Sequence, residues 1–267
     1  MRCQLYRSAF DLARYTGTTV RILVVSDIHA NLVALDAVVR DAEAGGAIDS
    51  VWSLGDNVGY GPQPSECLAR LRELDATIIA GNHDRAATGA MSVEEFNADA
   101  AAAALWTREN LDEEDQAFLD ELPEVTKPED SFTIVHGTLK HPVWEYLYSY
   151  EAAQGHLELQ ETAFSCVGHT HMPMLVEEDD GAPKGCELYR LDDGAVVELT
   201  DDKRLIVNPG SVGQPRDGDP RASYAIYDEG SRTFTIKRVE YEISEIQKLM
   251  SDAELPAWLI ERLAEGR

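Results

Sequence analysis

Residues 20–29 read VRILVVSDIH, and they give the strongest indication of the fold class. The apolar, β-branched run over 20–25 lacks a clean alternation of polar and apolar residues, which is typical of a strand buried on both faces of a parallel sheet. Asp27 and His29 follow on alternate residues, where that strand is predicted to end. Because ligand sites in open α/β sheets lie beyond the carboxyl ends of the strands, we expect both side chains to belong to a functional site.

The segments after this strand alternate between helical and extended patterns. A helix from about 31 to 44 is closed by Gly45-Gly46, and a second helix starts at Pro64-Ser65. Apolar strands are predicted at 51–54 and 77–80. This strand–helix–strand–helix–strand order predicts a parallel α/β sheet with right-handed crossovers.

The remainder of the chain predicts a helical insertion, a β-rich region and a helical tail. The insertion covers about 92–122 and divides into two helices near Asn110. The later segments are strands at 132–135 and 164–167, a hairpin at 188–199 that turns at Asp192-Asp193-Gly194, a hairpin at 223–239, and two short helices from about 244 around Pro256. We therefore expect an N-terminal extension over 1–19 and a single domain over 20–267 that contains two packed sheets.

The composition is strongly acidic. With 49 Asp and Glu against 23 Lys and Arg, the formal net charge is −26. Duplex nucleic acids and anionic membranes attract basic surfaces, so neither is an expected partner. A small phosphorylated substrate held by metal ions is compatible with this charge, because cations reverse the local field. The charge also favours a halophilic protein from a salt-accumulating cytoplasm; the alternative is an ordinary acidic protein.

The sequence lacks the usual signals for a membrane or secreted location. It contains no run of about 18 apolar residues, and its first residues do not form the apolar segment of a secretory signal. We therefore expect a cytoplasmic protein. The four cysteines form no CxxC pair, which argues against a zinc knuckle or a thioredoxin-type site. Cys166 lies in an apolar stretch and is interpreted as a small buried hydrophobe.

Histidines are concentrated at the predicted strand ends. Five of the seven lie there, each within three residues of a Gly, Asp or Asn: His29, His83, His136, His169 and His171. With the neighbouring carboxylates and an amide, they form a ligand set that suits a borderline divalent metal rather than calcium or structural zinc. Seven such ligands are too many for one tetrahedral ion, and they suit two ions about 3.5–4 Å apart that share one carboxylate.

Taken in order, these motifs resemble those of the calcineurin-like metallophosphoesterase family. The motifs are Asp27-x-His29, Gly55-Asp56, Gly81-Asn82-His83-Asp84, His136 and Gly168-His169-x-His171. The stretch VNPGSVG at 207–213 also resembles the loop after the site in the small prokaryotic branch of that family. The resemblance covers nearly everything from Val20 onward. It implies a four-layer α-β-β-α sandwich, in which two mixed β-sheets are flanked by helices.

The resemblance also implies a role for each matching position. A first divalent ion would be held by Asp27, His29 and His171, a second by Asn82, His136 and His169, with Asp56 bridging the two. His83 would assist the leaving group, and Asp84 would orient it through the other ring nitrogen. The implied reaction is phosphoester hydrolysis by a hydroxide that bridges the ions. Mn²⁺ is the first expectation for the metal, with Fe, Zn and Ni as alternatives.

One departure from the family pattern narrows the expected substrate. Phosphoprotein phosphatases of the family carry Gly-Asp-x-Val-Asp-Arg-Gly, whose arginine grips the phosphoryl group. This chain has Gly59 and Tyr60 at the second Asp and the Arg positions. The loss of a bidentate clamp favours a phosphodiesterase. The alternatives are a phosphomonoesterase acting on a nucleotide or sugar phosphate, and a catalytically silent binding protein on the same fold.

The candidate substrate contacts each have a structural alternative. Tyr60 either lines the pocket or packs on the sheet, and Asn31 either contacts phosphate or caps the following helix. Arg85 and Arg216 are further candidate phosphate contacts. The aromatic-rich run 141–146 is interpreted as core packing in preference to a base-stacking or lid surface. The expected partner is a small phosphorylated substrate, and nothing in the sequence predicts the oligomeric state.

Overall fold

A computed structural model describes residues 19–267 of the chain. All of the predicted extension except Thr19 lies outside these residues. The strands are β1 Arg21–Val25, β2 Ser50–Ser53, β3 Thr77–Ile78, β4 Val125–Glu129, β5 Phe132–Val135, β6 Phe164–Cys166, β7 Pro173–Glu178, β8 Cys186–Arg190, β9 Val196–Glu198, β10 Leu205–Pro209, β11 Ala222–Asp228 and β12 Thr233–Val239. The helices are α1 Leu32–Ala44, α2 Pro64–Glu73, α3 Asn82–Thr88, α4 Ala98–Asn110, α5 Glu113–Glu121, α6 Tyr150–Leu159, α7 Ile243–Asp252 and α8 Ala257–Glu261, followed by a 3-10 turn at Arg262–Glu265.

Two mixed six-stranded sheets form the centre of the fold. The first has the order β3-β2-β1-β11-β12-β9, with β1, β2 and β3 parallel and β11 antiparallel to β1. The second has the order β4-β5-β6-β10-β7-β8, with β5, β6 and β10 parallel. The predicted sandwich of two mixed sheets flanked by helices is confirmed, and β1, β2 and β3 follow one another as the sequence indicates.

The two sheets face each other across a core rich in aromatic side chains. Trp52 of the first sheet packs edge-on against Phe132 of the second, with ring centroids 5.2 Å apart. Phe132 also contacts Phe164 at 5.2 Å and Tyr227 at 4.8 Å. Burying one such side chain contributes about 1.5–3 kcal/mol, so this layer holds the sheets together and fixes where their strand ends meet.

Helices cover the outer face of each sheet. α1 begins after Asn31, whose side-chain oxygen accepts a hydrogen bond from Ala34 N at 3.0 Å. The apolar faces of α1 and α2 pack on the first sheet, and α6 packs on the second. α7 and α8 pack beside α4 and Tyr60, close to the strand ends. Across residues 19–267, no helix combines the length and the apolar character needed to cross a membrane.

The predicted hairpin at 188–199 is wrong. β8 pairs with β7 in the second sheet, whereas β9 pairs with β12 in the first. The turn at Asp192-Asp193-Gly194 therefore carries the chain from one sheet to the other. The residues of this turn are typical of a hairpin that reverses the chain within one sheet. Leu191 and Val197 on either side of it are both buried in the core between the sheets, so packing assigns the flanking strands to different sheets. By contrast, β11 and β12 form a hairpin as predicted.

Several elements go beyond the sequence-based expectations. The patterns do not predict α3, α6, β4 or β7. The stretch 207–213, expected as a loop, begins inside β10. Helices α4 and α5 lie within the segment 92–122, and Asp112 caps α5 by accepting a hydrogen bond from Asp115 N at 2.8 Å.

Candidate active site

Backbone strain gathers at the strand ends. Asp27, His29 and Asp56 have φ angles of 52°, 51° and 52°, in the left-handed region. In the loop after β6, His169 and His171 have φ angles of 65° and 58°. This conformation costs a non-glycine residue about 1–3 kcal/mol and occurs most often at functional sites. Five of the ten non-glycine residues with a positive φ among residues 19–267 are thus predicted metal ligands.

One cluster of side chains joins the ends of β1 and β2 to the loop after β6. Its ligand atoms, all within 4.8 Å of one another, belong to Asp27, His29, Asp56 and His171. His171 Nε2 is 3.2 Å from Asp27 Oδ1, and His29 Nε2 is 3.6 Å from Asp56 Oδ2. The Nδ1 atoms face backbone carbonyls, at 3.3 Å for His29 and 2.5 Å for His171. Because a carbonyl only accepts, Nδ1 carries the proton and each Nε2 lone pair faces the cluster, as a metal ligand requires.

A second cluster shares Asp56 and draws its histidines from the other sheet. Its ligand atoms, again within 4.8 Å of one another, belong to Asp56, His136 and His169. His136 Nε2 is 3.3 Å from Asp56 Oδ2 and 3.1 Å from His169 Nδ1. The outer nitrogens, His136 Nδ1 and His169 Nε2, face backbone carbonyls at 2.8 and 3.1 Å. Asp56 therefore lies between two sets of imidazoles.

Two oxygens at this centre are buried without a well-formed hydrogen bond. Within the described residues, Asn82 Oδ1 and Asp56 Oδ2 are enclosed and make no regular hydrogen bond, although His136 Nε2 lies 3.3 Å from Asp56 Oδ2 as an ion-pair contact. Leaving such a group unpaired costs about 1–3 kcal/mol, and more for a charged one. A cation beside these oxygens removes that cost. The carboxylates and imidazoles of the two clusters thus fit a pair of divalent metal ions, and Asn82 lies next to them in the chain, since His83 N donates to Asp56 Oδ1 at 2.8 Å.

The protonation states of the clusters are set mainly by burial and by Asp56. Burial lowers the pKa values of His29, His169 and His171 well below the usual value. Burial works to raise the pKa of Asp56, but the neighbouring histidines, His136 foremost, hold it well below its usual range. Burial likewise opposes protonation of His136, yet the charge of Asp56 raises its pKa to about 9. A metal ion must therefore displace a proton at His136, whereas the other three imidazoles are ready to bind.

His83 stands beside the two clusters. Its ring centroid is 4.9 Å from that of His29 and 4.2 Å from that of Tyr60. Phe96 contacts the ring as well, at 4.9 Å. His83 Nδ1 is enclosed without a hydrogen-bond partner, and burial lowers the pKa of the imidazole to about 4. The surrounding rings therefore hold His83 in place as a neutral imidazole.

The role implied for Asp84 is corrected by the structure. Its carboxylate accepts hydrogen bonds from Val58 N, Asn57 Nδ2 and Gly81 N, at 3.1, 2.9 and 2.8 Å. These donors use both carboxylate oxygens, and the ring of His83 is not among them. Asp84 instead fixes the loop after β2 against the start of α3, because a buried carboxylate needs several donors to be accommodated.

The predicted substrate contacts divide into two kinds. Tyr60 belongs to the site, since its ring packs edge-on against His29 at 4.6 Å. Asn31 serves the fold: its oxygen caps α1 and its Nδ2 donates to a backbone carbonyl at 3.1 Å. Arg85 is also committed elsewhere, because its guanidinium donates to three backbone carbonyls at the end of α5. Arg216 does reach the site, with Nη2 3.4 Å from Tyr60 Oη.

The aromatic-rich run 141–146 lines the site and does not pack in the core, which corrects the favoured interpretation. Tyr146 is 41% exposed and stacks on the ring of His169 at 3.8 Å. Trp144 accepts a hydrogen bond from His169 Nε2 through its carbonyl, and its ring stacks on Phe96 at 5.6 Å. Phe96 precedes α4 and carries no sequence signal, because only the tertiary fold brings it here.

Comparisons with known proteins bear on this site. A family model described as a calcineurin-like phosphoesterase superfamily domain matches residues 20–232. The crystal structure of a metallophosphoesterase from Sphaerobacter thermophilus is 44% identical, with a TM-score of 0.84 over 94% of this chain and 100% of that chain. An uncharacterized protein of Methanocaldococcus jannaschii is 39% identical over 250 residues, 92% of this chain and 98% of that protein. Serine/threonine-protein phosphatase 2 of Escherichia coli is 30% identical over 145 residues, 51% of this chain and 66% of that protein.

Proposed function

The chain belongs to the calcineurin-like phosphoesterase superfamily and is a metal-dependent phosphoesterase, and within that class we propose that it is a phosphodiesterase. The observation that carries a hydrolytic two-metal site is the pair of buried oxygens that make no regular hydrogen bond, Asn82 Oδ1 and Asp56 Oδ2, the second of which belongs to the carboxylate shared by both clusters. Both lie where the ends of two strands meet, and each is the atom that a divalent cation would satisfy.

The seven predicted ligands divide between two ions. Asp27, His29 and His171 would hold one, Asn82, His136 and His169 would hold the other, and Asp56 would be shared. When bound, such ions supply an activated water and neutralise charge on the phosphoryl oxygens. We propose Mn²⁺ as the metal, with Fe, Zn and Ni as the alternatives that share its preference for these donors.

His83 supports the departure of the leaving group in this proposal. Its Nδ1 is enclosed against Gly59, so Nε2 is the ring nitrogen that a substrate can meet. A pKa near 4 keeps the free ring neutral at pH 7, and a neutral ring with its proton on Nε2 donates a hydrogen bond to the leaving oxygen. Loss of one positioned hydrogen-bond donor of this kind costs about 10²–10³-fold in rate.

The residues beside His83 favour a diester over a phosphoprotein. Gly59 and Tyr60 offer no guanidinium at the position where phosphoprotein phosphatases of the family carry their arginine. Burial raises the pKa of Tyr60, so its hydroxyl stays neutral. A diester brings one negative charge to the site, whereas a monoester brings two and is better matched by a bidentate cation.

A hydrolysis panel with added Mn²⁺ tests the proposal. The substrates are bis(p-nitrophenyl) phosphate, p-nitrophenyl phosphate, a 2′,3′-cyclic nucleotide and a phosphopeptide, each at low and at multimolar salt. We expect the diesters to react fastest. Fast phosphopeptide cleavage would overturn the argument from Gly59 and Tyr60, and a monoester preference would establish the phosphomonoesterase. Two bound metals without activity on any substrate would indicate a silent binding protein. We also propose that the protein is cytoplasmic and that it works at high salt concentration.

A further inference from the structure

Arg216 is a cation without a carboxylate partner beside the two clusters. Its Nη2 is 3.4 Å from Tyr60 Oη, and its guanidinium carbon is 5.8 Å from the centroid of the Tyr60 ring. Over residues 19–267, its side chain hydrogen-bonds only to Tyr60 and Gln214 and forms no ion pair. In a chain with 49 acidic side chains, a partly buried guanidinium left without one is poised for an external anion.

The backbone positions Arg216 together with a metal ligand. Arg216 N donates to His171 O at 3.3 Å, and Gln214 O accepts from His171 Nδ1 at 2.5 Å. The loop that aims His171 Nε2 into the first cluster therefore also places the guanidinium.

Only one end of the Arg216 guanidinium is free. Nε and Nη2 both donate to Gln214 Oε1, at 3.2 and 2.9 Å, and Nη2 also faces Tyr60 Oη. Nη1 has no partner in the described part of the chain, and it is not among the enclosed polar atoms. A bidentate grip on an anion needs two nitrogens on one edge of the guanidinium. Gln214 occupies the edge formed by Nε and Nη2, and on the other edge Nη2 faces Tyr60 Oη, so Nη1 is the nitrogen of Arg216 that is left without a partner among residues 19–267.

We propose that Arg216 contacts a non-bridging phosphoryl oxygen through Nη1, and that it supplies from the loop after β10 the cation that position 60 lacks. The inference rests on the proposed phosphodiesterase function and sharpens it. A contact through one nitrogen suits the one negative charge of a diester, whereas a dianionic monoester is better matched by two guanidinium nitrogens that donate together. Gln214, which holds the other edge, is then the residue that sets this preference.

Calorimetric titration of inorganic phosphate into the metal-loaded protein tests the contact apart from turnover. We expect R216M to weaken phosphate binding about 10- to 100-fold, and R216K to bind more tightly than R216M because it keeps the charge and a single nitrogen donor. R40M, which removes an exposed guanidinium from α1, should bind phosphate as the wild type does. Equal phosphate binding by R216M and the wild type would overturn the proposal. Should R216M not load metal, equal binding by metal-loaded R216Q and R40M would overturn it instead.

The substitution Q214M tests the single-nitrogen grip. It removes Oε1 but keeps the backbone carbonyl that bonds to His171, so the second edge of the guanidinium becomes free. We expect kcat/KM for p-nitrophenyl phosphate to rise about 10-fold relative to that for bis(p-nitrophenyl) phosphate. An unchanged ratio would overturn the role of Gln214. If the wild type hydrolyses neither ester, the proposed function is wrong. The phosphate titration would still show whether Arg216 contacts the anion.

Discussion

The backbone of Gly59 lies directly against the imidazole of His83. A Cβ at residue 59 would come within 2.6 Å of His83 Nδ1 and 2.9 Å of its Cγ. Residue 59 also has a φ of 86°, a conformation that strains any residue with a side chain. The absence of a side chain at position 59 is therefore a condition for the position of His83. Gly59 and Tyr60 therefore differ from the phosphoprotein phosphatase motif in two ways: they lack its charged side chains, and Gly59 leaves the space that His83 fills.

The substitution G59A should displace His83 and impair catalysis. We expect kcat for the diester to fall about 100-fold or more, since a displacement near 1 Å has that effect on a positioned group. The left-handed backbone alone costs about 1–2 kcal/mol of stability. G194A is the matched control, because Gly194 has a φ of 80° and nothing within 4 Å of its Cβ position. It should lose similar stability and keep its activity; equal turnover by the two variants would contradict the assignment of His83.

The substitution D56N keeps the shape of Asp56 but removes the charge that both clusters share. We expect purified D56N to carry at most one metal ion per chain and to hydrolyse the diester at least about 100-fold more slowly. Elemental analysis by mass spectrometry gives the metal content, and turnover is measured with added Mn²⁺. D252N removes the same charge from the exposed end of α7 and should retain both ions. Wild-type turnover by D56N would refute the shared-ligand assignment.

His156 predicts a specific dependence of stability on pH. It is buried on α6, where Nδ1 accepts from Leu139 N at 3.2 Å and Nε2 donates to Ser165 Oγ at 3.0 Å. Burial lowers its pKa from 6.5 to about 3. Between these values the unfolded chain binds a proton that the folded chain does not. The stability is therefore complete above pH 6.5 and falls below it by about 1.4 kcal/mol per pH unit.

The substitution H156Q isolates this effect, because glutamine keeps a donor and an acceptor but does not titrate. We expect the free energy of unfolding of the wild type, relative to H156Q, to fall by about 2 kcal/mol from pH 6.5 to pH 5. Urea unfolding at each pH, with metal present throughout, gives the two profiles. Parallel profiles would show that the imidazole does not stay neutral in the folded protein.

The acidic surface predicts that stability depends on salt. Glu177 and Glu178 form ion pairs with Lys203 and Arg204, but exposed carboxylates follow at 179–180. The Debye length shrinks from about 30 Å at 0.01 M salt to about 3 Å at 1 M, so screening removes repulsion between such groups. We expect the thermal midpoint to rise from about 50 mM to multimolar KCl as this screening grows. Full stability and activity at the low concentration would identify an ordinary acidic protein.

The side chains that gather in the two clusters could be predicted because they follow their strands directly. Asp27 and His29 leave β1 on alternate residues, and parallel neighbours bring Asp56 and Asn82 to the same edge. The features that could not be predicted, such as the hydrogen bonds of Asp84, depend on contacts between segments that are distant in sequence. The donors to Asp84 come from two loops that meet only in the folded protein.

The other misjudged segments have the same physical origin. The turn at Asp192-Asp193-Gly194 has the chemistry of a hairpin, but the core decides which sheet each flanking strand joins. Tyr146 is apolar enough for a core, yet it stacks on a metal-ligand candidate at the surface. Gln214 lies just past the recognised stretch 207–213, and its link to Arg216 appears only when the loop after β10 is in place.

The pairing of β1 with β11 has a consequence for biosynthesis. Arg21 lies opposite Asp228, so the strand that completes the inner edge of β1 is translated long after β1 itself. A nascent chain that has made β1, β2 and β3 therefore carries an unpaired edge in the middle of its future sheet. Contacts so remote in sequence slow folding, and an open edge invites association with other chains. The chain depends on its final third to close its first strand, and ribosome-bound fragments that end before residue 222 should need chaperone protection.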